Sequence, residues 1–212
     1  MSLPYIVVGA SGHAKVLVDA LRKQNEHVLG FVDPREDLWG KQILGAPVLG
    51  GDEVVLERTP SSIHMANGIG SIGSVAKRKR AYEWYVEKGY FFPAVIHPSS
   101  VVGDQVTIGK GVQLMAGSVV QTGTVLGDNV IVNTNASVDH DCWIEEYVHV
   151  APGAVLSGGV KVGKGTHIGV GAVVIQGIRI GSDCIVAAGA VVIRDISSGA
   201  KVGGVPAKDF SR

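Results

Sequence analysis

The chain has few cysteines, few aromatic residues and no excess of charge of either sign. Its two cysteines cannot form a disulfide framework, so we expect a reducing, cytoplasmic compartment. Its 19 basic and 19 acidic residues balance, and a chain without net charge has no general attraction for nucleic acid or for an anionic membrane. The apolar run at residues 5–10 is too short to cross a membrane, and the first residues show no signal-peptide pattern.

Glycine, by contrast, is abundant, with 30 residues, and aliphatic residues recur with a period of six. From Ile96 to Val192 every sixth residue is Ile, Leu or Val, and the residue four positions later is nearly always small or β-branched. This pattern is typical of a triangular coil with three short strands per turn, whose interior the aliphatic residues fill. The repeat predicts about five to six coils and a prism roughly 25 Å long. Glycine often follows the aliphatic residue, as at Gly109 and Gly127, and we expect it there because of a positive φ or because of close backbone packing.

Residues 1–95 lack this period and alternate between strand-like and helix-like segments. The predicted strands span residues 5–9, 27–33, 46–49 and 63–66, and the predicted helices span residues 12–23 and 74–89. Such alternation predicts a small parallel sheet with helices on its faces. We therefore expect a Rossmann-like α/β domain at residues 1–95, followed at residues 96–212 by an all-β parallel β-helix with a C-terminal cap.

The turn after the first strand is a candidate anion site. Ser11, Gly12 and His13 lie at the start of the predicted helix, where backbone N–H groups point at a ligand. Asp33 ends the second strand, where a carboxylate can accept hydrogen bonds from ribose hydroxyls. We interpret the site as one for a nucleotide or a nucleotide-sugar; a dinucleotide and a purely structural turn are alternatives, although the full G-x-G-x-x-G pattern is absent. The basic run at residues 77–80 is interpreted as a solvated helix face, with contact to a diphosphate as the alternative.

One stretch of the repeat carries polar residues where turn residues are usual. His140 is expected at a corner, between Asp139 and Asp141, whose carboxylates can hold its imidazole in one tautomer and raise its basicity. Such a pair can remove a proton from an amine or a hydroxyl that attacks a thioester. An ordinary surface histidine is the alternative.

Two further histidines lie one coil apart. His149 precedes an inward Val, so we expect it to face outward with His167 stacked above it. We interpret His149 as a hydrogen-bond donor to a thioester carbonyl or to CoA, with a metal site as an alternative. Cys142 and Cys184 occupy the small inward position, so we expect core residues and not nucleophiles.

The chain resembles the NeuD/PglD-like sugar O- and N-acetyltransferases, a family of hexapeptide-repeat enzymes. The motifs that carry the resemblance are Val-Gly-Ala-Ser-Gly-His at 8–13, Phe-Val-Asp at 31–33, Gly-Ile-Gly at 68–70, Val-Asn-Thr-Asn-Ala-Ser-Val-Asp-His-Asp at 132–141 and Gly-Val-Pro-Ala-Lys at 204–208. It is similar above all to members that N-acetylate UDP- or GDP-linked 4-amino-4,6-dideoxy sugars. The left hand of the β-helix is implied by the resemblance alone, because right-handed crossovers are the general rule.

The resemblance also implies roles for particular residues. His140 corresponds to the general base, and Asp141 to the acidic residue that supports it. The implied substrate contacts are Ser11, Gly12, His13, Asp33, Pro34, Gly70 and Asn133, and the implied contacts to acetyl-CoA are His149, Val170 and Ala188. A homotrimer with active sites between subunits is implied as well, with acetyl-CoA as co-substrate and without a metal. Pro34 stands where some relatives have a second acidic residue, so the choice between UDP and GDP stays open.

The leading hypothesis is therefore N-acetylation of a nucleotide-linked amino sugar. O-acetylation of sialic acid or a related sugar acid is the nearest alternative, and it needs no nucleotide pocket. A non-catalytic solenoid that binds sugar nucleotides and a metal-dependent hydratase are further alternatives.

Overall fold

The computed structural model describes residues 2–71 and 73–210. The chain forms two compact units: one holds the residues up to Gly70 and from Ala76 to Pro98, and the other holds Ser71–Val75 and the chain from Ser99 onward. The boundary after Pro98 lies close to the boundary expected after residue 95. The sequence does not predict that Ser71–Val75 belongs to the second unit.

The first unit is an α/β fold. Its elements are β1 (Tyr5–Val8), α1 (Gly12–Lys23), β2 (Val28–Val32), β3 (Gln42–Ile43), β4 (Ala46–Gly50), α2 (Glu53–Leu56), β5 (His64–Asn67), α3 (Ala76–Glu87) and β6 (Val95–Ile96), with 3₁₀ turns at Glu36–Leu38 and Pro60–Ser62. The sheet order is β3-β4-β2-β1-β5, and all neighbours are parallel except β3 and β4. The predicted alternation is confirmed, and the β3–β4 hairpin is an addition to it. Within the described chain, none of the helices has both the length and the apolar character that crossing a membrane requires.

The strand β1 lies between β2 and β5 in this sheet. Ile6 and Val7 point to opposite faces of the sheet and are both fully buried, as expected for a parallel strand covered on both sides. Close packing explains why position 68, just after β5, is occupied by glycine. A Cβ there would lie 2.7 Å from the Ala14 Cβ and 2.9 Å from the Val8 carbonyl oxygen.

The second unit is a left-handed parallel β-helix. Its two-residue strands stack into three faces, which we number in chain order. The first face consists of Val101–Val102, Val119–Val120, Ser137–Val138, Val155–Leu156, Val173–Val174 and Val191–Val192. The second face consists of Thr107–Ile108, Val125–Leu126, Trp143–Ile144, Lys161–Val162 and Arg179–Ile180. The third face consists of Gln113–Leu114, Ile131–Val132, His149–Val150, His167–Ile168, Ile185–Val186 and Lys201–Gly203, with Lys208–Asp209 antiparallel at its end.

The aliphatic positions fill the interior of the prism, as predicted. From Leu114 to Val192 each of them is at most 3% exposed, and Cys142 and Cys184 in the small position are 1% exposed. Val102, in the first coil, is 39% exposed. The expected burial fails at that position because an end coil is covered on one side only.

The glycines that follow the aliphatic positions are required by close packing and not by φ. A Cβ on Gly127 would lie 2.7 Å from the backbone nitrogen of Glu146 in the next coil. The left-handed φ occurs two residues further along each corner, as at Gly171 (φ 64°) and Asn135 (φ 54°). Of the two reasons expected from the sequence, close packing is therefore the one that applies.

The faces differ in the side chains that they present outward. On the first face these are mostly Val, and Val101, Val155 and Val173 are 37–55% exposed. On the second face the exposed outward side chains are more mixed and include Lys161 and Arg179 as well as Trp143. The outward side chains of the first face are thus almost all aliphatic.

We expect Gly127→Ala to destabilise the β-helix by about 1–3 kcal/mol, because the added Cβ would press on the backbone of the next coil. Gly171→Asn is the control: a Cβ there meets nothing within 4 Å. Because Asn tolerates a left-handed φ, we expect that change to cost less than about 0.5 kcal/mol. Chemical denaturation followed by circular dichroism measures both, and equal losses would contradict the packing explanation.

Candidate active site

A cavity of about 760 Å³ opens in the first unit at the carboxyl ends of β1 and β2. Its lining includes Ser11, Asp33, Pro34, Arg35, Lys77 and Arg80. The volume is that of a small-molecule pocket, and the carboxyl edge of a parallel sheet is where ligands bind in α/β folds. Three of the predicted substrate contacts, Ser11, Asp33 and Pro34, therefore meet at one pocket.

The start of α1 offers backbone donors to this cavity. Ser11 occupies the N-cap position, but within the described chain its hydroxyl makes no capping bond and lies 3.4 Å from the Gly68 carbonyl oxygen. The Ser11 side chain therefore leaves the N-terminus of α1 uncapped, and the helix dipole favours an anion there. Lys77 and Arg80 add positive charge to the same cavity. The arrangement suits a phosphate group.

The carboxylate of Asp33 is already engaged. Its Oδ2 accepts hydrogen bonds from the Ala10 backbone N–H (2.9 Å) and from Arg35 Nη2 (2.9 Å), and its Oδ1 accepts from the Arg35 backbone N–H (3.0 Å) and Nε (2.8 Å). The hydrogen bonds from the Arg35 side chain lower the pKa of Asp33 below its usual value. Any ribose hydroxyl would have to compete with four existing donors.

The remaining predicted residues of this unit lie outside the described lining of the cavity. Gly12 is the exposed first residue of α1, and His13 follows it. A Cβ on Gly70 would lie 3.3 Å from the His13 Cβ, so these two residues pack closely. Their contacts to substrate stay predictions.

The basic run at residues 77–80 is divided between the cavity and the core. Lys77 and Arg80 line the cavity, whereas Arg78 is fully buried and its carbonyl oxygen accepts a hydrogen bond from Asn67 Nδ2 (3.0 Å). The interpretation of the run as a solvated face is therefore wrong for Arg78, because α3 packs that side against β5.

In the second unit, His140 and Asp141 form a pair at the corner after the first face. His140 Nδ1 lies 2.8 Å from Asp141 Oδ2, and the two side chains are 48% and 73% exposed. The hydrogen bond to Asp141 raises the pKa of His140, and the charge of Asp139 adds to the effect. Because Nδ1 is held by Asp141, Nε2 is the ring nitrogen that can take a proton from a ligand. The predicted pairing of the side chains is present.

The neighbouring coils leave room for this pair through two glycines. A Cβ on Gly158, one coil after His140, would lie 2.5 Å from its Nε2. A Cβ on Gly123, one coil before Asp141, would lie 2.6 Å from its Oδ1. Glycine at both positions lets the imidazole and the carboxylate lie against the corner.

A second polar cluster joins the third face to the segment Ser71–Val75. His149 Nδ1 lies 2.8 Å from Ser71 Oγ and 3.2 Å from the Ser71 carbonyl oxygen, and its Nε2 lies 3.0 Å from Asn133 Nδ2. Asn133 Oδ1 accepts from the Thr134 backbone N–H (2.8 Å), which identifies Nδ2 as the donor. His149 Nε2 is therefore an acceptor, and Nδ1 carries the proton that it donates to Ser71.

His149 is not the solvent-exposed residue that the sequence predicts. It is 6% exposed, because Ser71 packs against its ring. His167 is stacked one coil further, as expected, with ring centroids 5.0 Å apart. Contact between His149 and acetyl-CoA stays a prediction, and it requires the ligand to replace Ser71 or Asn133 as a hydrogen-bond partner.

The β-helix keeps the two clusters apart. Asn133 lies at the corner after the third face, where Val170 and Ala188 are exposed two and three coils further on. His140 lies at the next corner, after the first face. A six-residue side of the prism, roughly 15–20 Å, separates the two corners. A compact site that uses both His140 and Asn133 therefore needs them from different copies of the chain.

Neither cysteine is placed for catalysis. Both are buried in the prism, and burial raises the pKa of Cys142 to about 11, so it is a thiol at neutral pH. Among the described residues, no group of three or more His, Cys, Asp or Glu side chains is arranged to hold a metal ion.

Sequence reasoning misses two residues that the structure brings to these clusters. Arg35 lies two positions after Asp33, a spacing at which an Asp side chain often accepts from the backbone, so this signal was available. Ser71 directly follows the Gly-Ile-Gly motif. No pattern indicates, however, that it contacts a residue 78 positions away.

In comparisons with known proteins, the two parts of the chain match different families. Residues 5–85 match the family described as the PglD N-terminal domain. Residues 123–158 match the bacterial transferase hexapeptide family, and residues 101–140 and 159–194 match the hexapeptide repeat of succinyl-transferase.

Several proteins are similar over most of the chain. The GDP-perosamine N-acetyltransferase of Escherichia coli O157:H7 is 31% identical over 164 residues, which cover 74% of this chain and 72% of that protein. The acetyltransferase domain of PglB from Neisseria gonorrhoeae FA1090, solved in complex with acetyl coenzyme A, is 36% identical with a TM-score of 0.92 and covers 99% of this chain and 100% of its own. PerB from Caulobacter crescentus, solved with CoA and GDP-perosamine, is 37% identical with a TM-score of 0.88 over 98% of this chain and 97% of its own.

We expect Asp141→Asn to lower the pKa of His140, because the hydrogen bond to Asp141 is the main cause of its raised value. At a given mildly acidic pH, more of the imidazole is then neutral. Asp139→Asn is the matched control, with a smaller shift, because Asp139 acts on the ring through its charge alone. NMR titration of the imidazole signals measures both, and the larger shift in Asp139→Asn would contradict the assignment.

Proposed function

Since the chain belongs to the NeuD/PglD-like family of hexapeptide-repeat sugar acetyltransferases, we propose that it transfers the acetyl group of acetyl-CoA to the 4-amino group of a nucleotide-linked amino-dideoxy sugar. The observation that carries this proposal is the exposed His140–Asp141 pair on the β-helix. The cavity beside α1 and the similarity to an N-acetyltransferase named for GDP-perosamine support the choice of acceptor.

In this proposal His140 is the general base. The substrate amine attacks the thioester carbonyl carbon, and Nε2 of His140 takes the proton that the nitrogen loses. The new N–C bond forms, the C–S bond breaks, and the imidazolium can return the proton to the departing sulfur. Asp141 holds the ring through Nδ1 and stabilises the imidazolium. The substrate's own amine is the nucleophile, so no covalent acyl-enzyme is needed.

The corner after the third face is the proposed binding edge for acetyl-CoA. Val170 and Ala188 are exposed there on successive coils, so together they offer an extended and partly apolar edge to the pantetheine chain. Asn133 lies at the same corner, with its amide oriented by Thr134 and by His149. In this arrangement His149 acts by holding Asn133 in place.

The first unit is the proposed nucleotide-sugar domain. The diphosphate would lie at the N-terminus of α1, where the backbone donors meet the charges of Lys77 and Arg80. In this assignment Lys77 and Arg80 of the basic run contact the diphosphate, which is the alternative interpretation of that run.

We further propose a homotrimer with its active sites at the subunit interfaces. The exposed Val residues of the first face favour contact with another copy. Asn133 and His140 lie on the two corners that flank this face. A second copy packed on it can therefore bring the His140 of one subunit to the Asn133 of another.

We expect His140→Ala to lower kcat by about 10²–10⁴-fold, because the general base is lost, while acetyl-CoA binding is kept. His27→Ala, which changes an exposed histidine of the first unit, is the control and keeps wild-type turnover. The assay follows CoA release with UDP- and GDP-linked 4-amino sugars in parallel.

The outcomes of this assay separate the alternatives. Near wild-type turnover in His140→Ala would remove His140 from the mechanism. CoA release with a sugar acid, and not with an amino sugar, would assign O-acetyl transfer. Binding of acetyl-CoA without CoA release on any acceptor would favour a non-catalytic binding protein.

We expect mixed assemblies of His140→Ala and Asn133→Ala chains to regain activity that neither variant has alone. In a randomly mixed trimer, roughly one quarter of the interface sites would receive both wild-type residues. Co-expression of His140→Ala with Asp141→Ala is the matched control and gives no recovery, since both residues come from the same corner of one chain. Differently tagged chains isolate the mixed assemblies, and ultracentrifugation checks for three times the 22.0 kDa chain mass.

Absence of recovery in purified mixed trimers would show that one copy supplies both residues. A monomer with full activity would overturn the proposed assembly itself.

A further inference from the structure

The loop after β2 carries an arginine with unused hydrogen-bond donors. Arg35 donates to Asp33 through Nε and one N–H of Nη2. A guanidinium has five N–H donors, so two on Nη1 and one on Nη2 are left. Within residues 2–71 and 73–210 they meet no acceptor. The Arg35 side chain lines the cavity and is 54% exposed, whereas that of Asp33 is 6% exposed.

Asp33 holds the guanidinium in one plane. The two bonds to the carboxylate, 2.8 and 2.9 Å long, bind it at two points. The carboxylate is itself held by the Ala10 backbone N–H, and Trp39 Nε1 donates to the Asp33 carbonyl oxygen (2.8 Å). Pro34 between them has a restricted φ. The free end of the guanidinium therefore has a set direction.

The sheet order separates Arg35 from the other cations of the cavity. β1 lies between β2 and β5, so the loop after β2 and the helix after β5 flank the start of α1 on opposite sides. Lys77 and Arg80 on α3 suit the diphosphate end of a ligand. A nucleotide with its phosphates at α1 then has its base on the side of Arg35.

We propose that Arg35, and not Asp33, contacts the nucleotide, and that it selects guanine. The free end of the guanidinium presents two parallel N–H groups, which match the adjacent O6 and N7 acceptors of guanine. Uracil has an N3–H donor next to its O4, and a guanidinium cannot accept a hydrogen bond. Asp33 is then a positioning residue. This inference rests on the proposed function, because it takes a nucleotide-linked sugar as the ligand.

Calorimetric titration of the full chain with GDP and UDP tests this proposal. We expect the wild-type protein to bind GDP roughly 10- to 100-fold more tightly than UDP. We expect Arg35→Gln to remove most of this preference for GDP, while the affinity for UDP stays nearly unchanged. Arg22→Gln, at an exposed position in α1 outside the described lining, is the matched control and keeps the ratio.

Asp33→Asn separates the positioning role from a direct one. We expect it to lower the GDP/UDP ratio, because the guanidinium loses its support. The double variant Asp33→Asn/Arg35→Gln should lower the GDP/UDP affinity ratio no further than the single variants do, since both changes act on the same contact. Acetyl-CoA binding measured on the same samples shows that each variant is folded.

Three results would overturn the proposal. The first is the result expected if the Asp33 carboxylate accepts a hydrogen bond from ribose. In that case Arg35→Gln frees the carboxylate and strengthens binding of both nucleotides, and deoxyribose analogues of GDP bind more weakly than GDP. Equal affinities for GDP and UDP in the wild-type protein would also overturn it, while leaving the proposed function standing. Binding of neither nucleotide would overturn the proposed nucleotide-linked substrate as well.

Discussion

The inward aliphatic residue at every sixth position is the constraint on which the β-helix depends. It fills the prism and sets the register, so residues one coil apart stack, as Ser137 does on Val155. The coils then lie so close that a Cβ on Gly127 would meet the backbone of the next coil. Corner side chains that point outward do not have to fill the prism, and at His140 and Asp141 glycine in the neighbouring coils leaves them room. His140 and Asp141 can therefore occupy one coil without disturbing the core.

The same register is the reason for proposing that residues of more than one chain form the active site. A solenoid bonded from coil to coil is stiff, so a residue at one corner cannot move to the next. His140 and Asn133 lie at corners separated by the first face, and that face is the one that exposes Val. An interface on it would bury apolar surface and at the same time unite the two corners. Assembly and catalysis would then depend on the same side of the prism.

Both units use a carboxylate as a support for a second group. In the first unit Asp33 is buried, and its pKa is lowered by the hydrogen bonds from Arg35, so it stays ionised and holds the exposed guanidinium. In the second unit Asp141 holds His140 and raises its pKa. The carboxylate in each pair sets the direction and charge state of its partner. The partner side chains, Arg35 and His140, are 54% and 48% exposed, so a ligand can reach them.

Features that depend on local periodicity could be predicted from the amino-acid sequence. These are the β-helix with its inward Leu, Val and Ile residues, the alternation of strand and helix before it, and the adjacent His140–Asp141 pair. The contacts between residues distant in sequence could be learned from the folded chain alone, because period and spacing carry no information about them. Folding buried Arg78, covered His149 with Ser71, and brought the Ala10 backbone N–H to the carboxylate of Asp33. It also assigned Asn133 and His140 to different corners, since the path of six residues around a prism, and not their closeness in the chain, sets which side chains can meet.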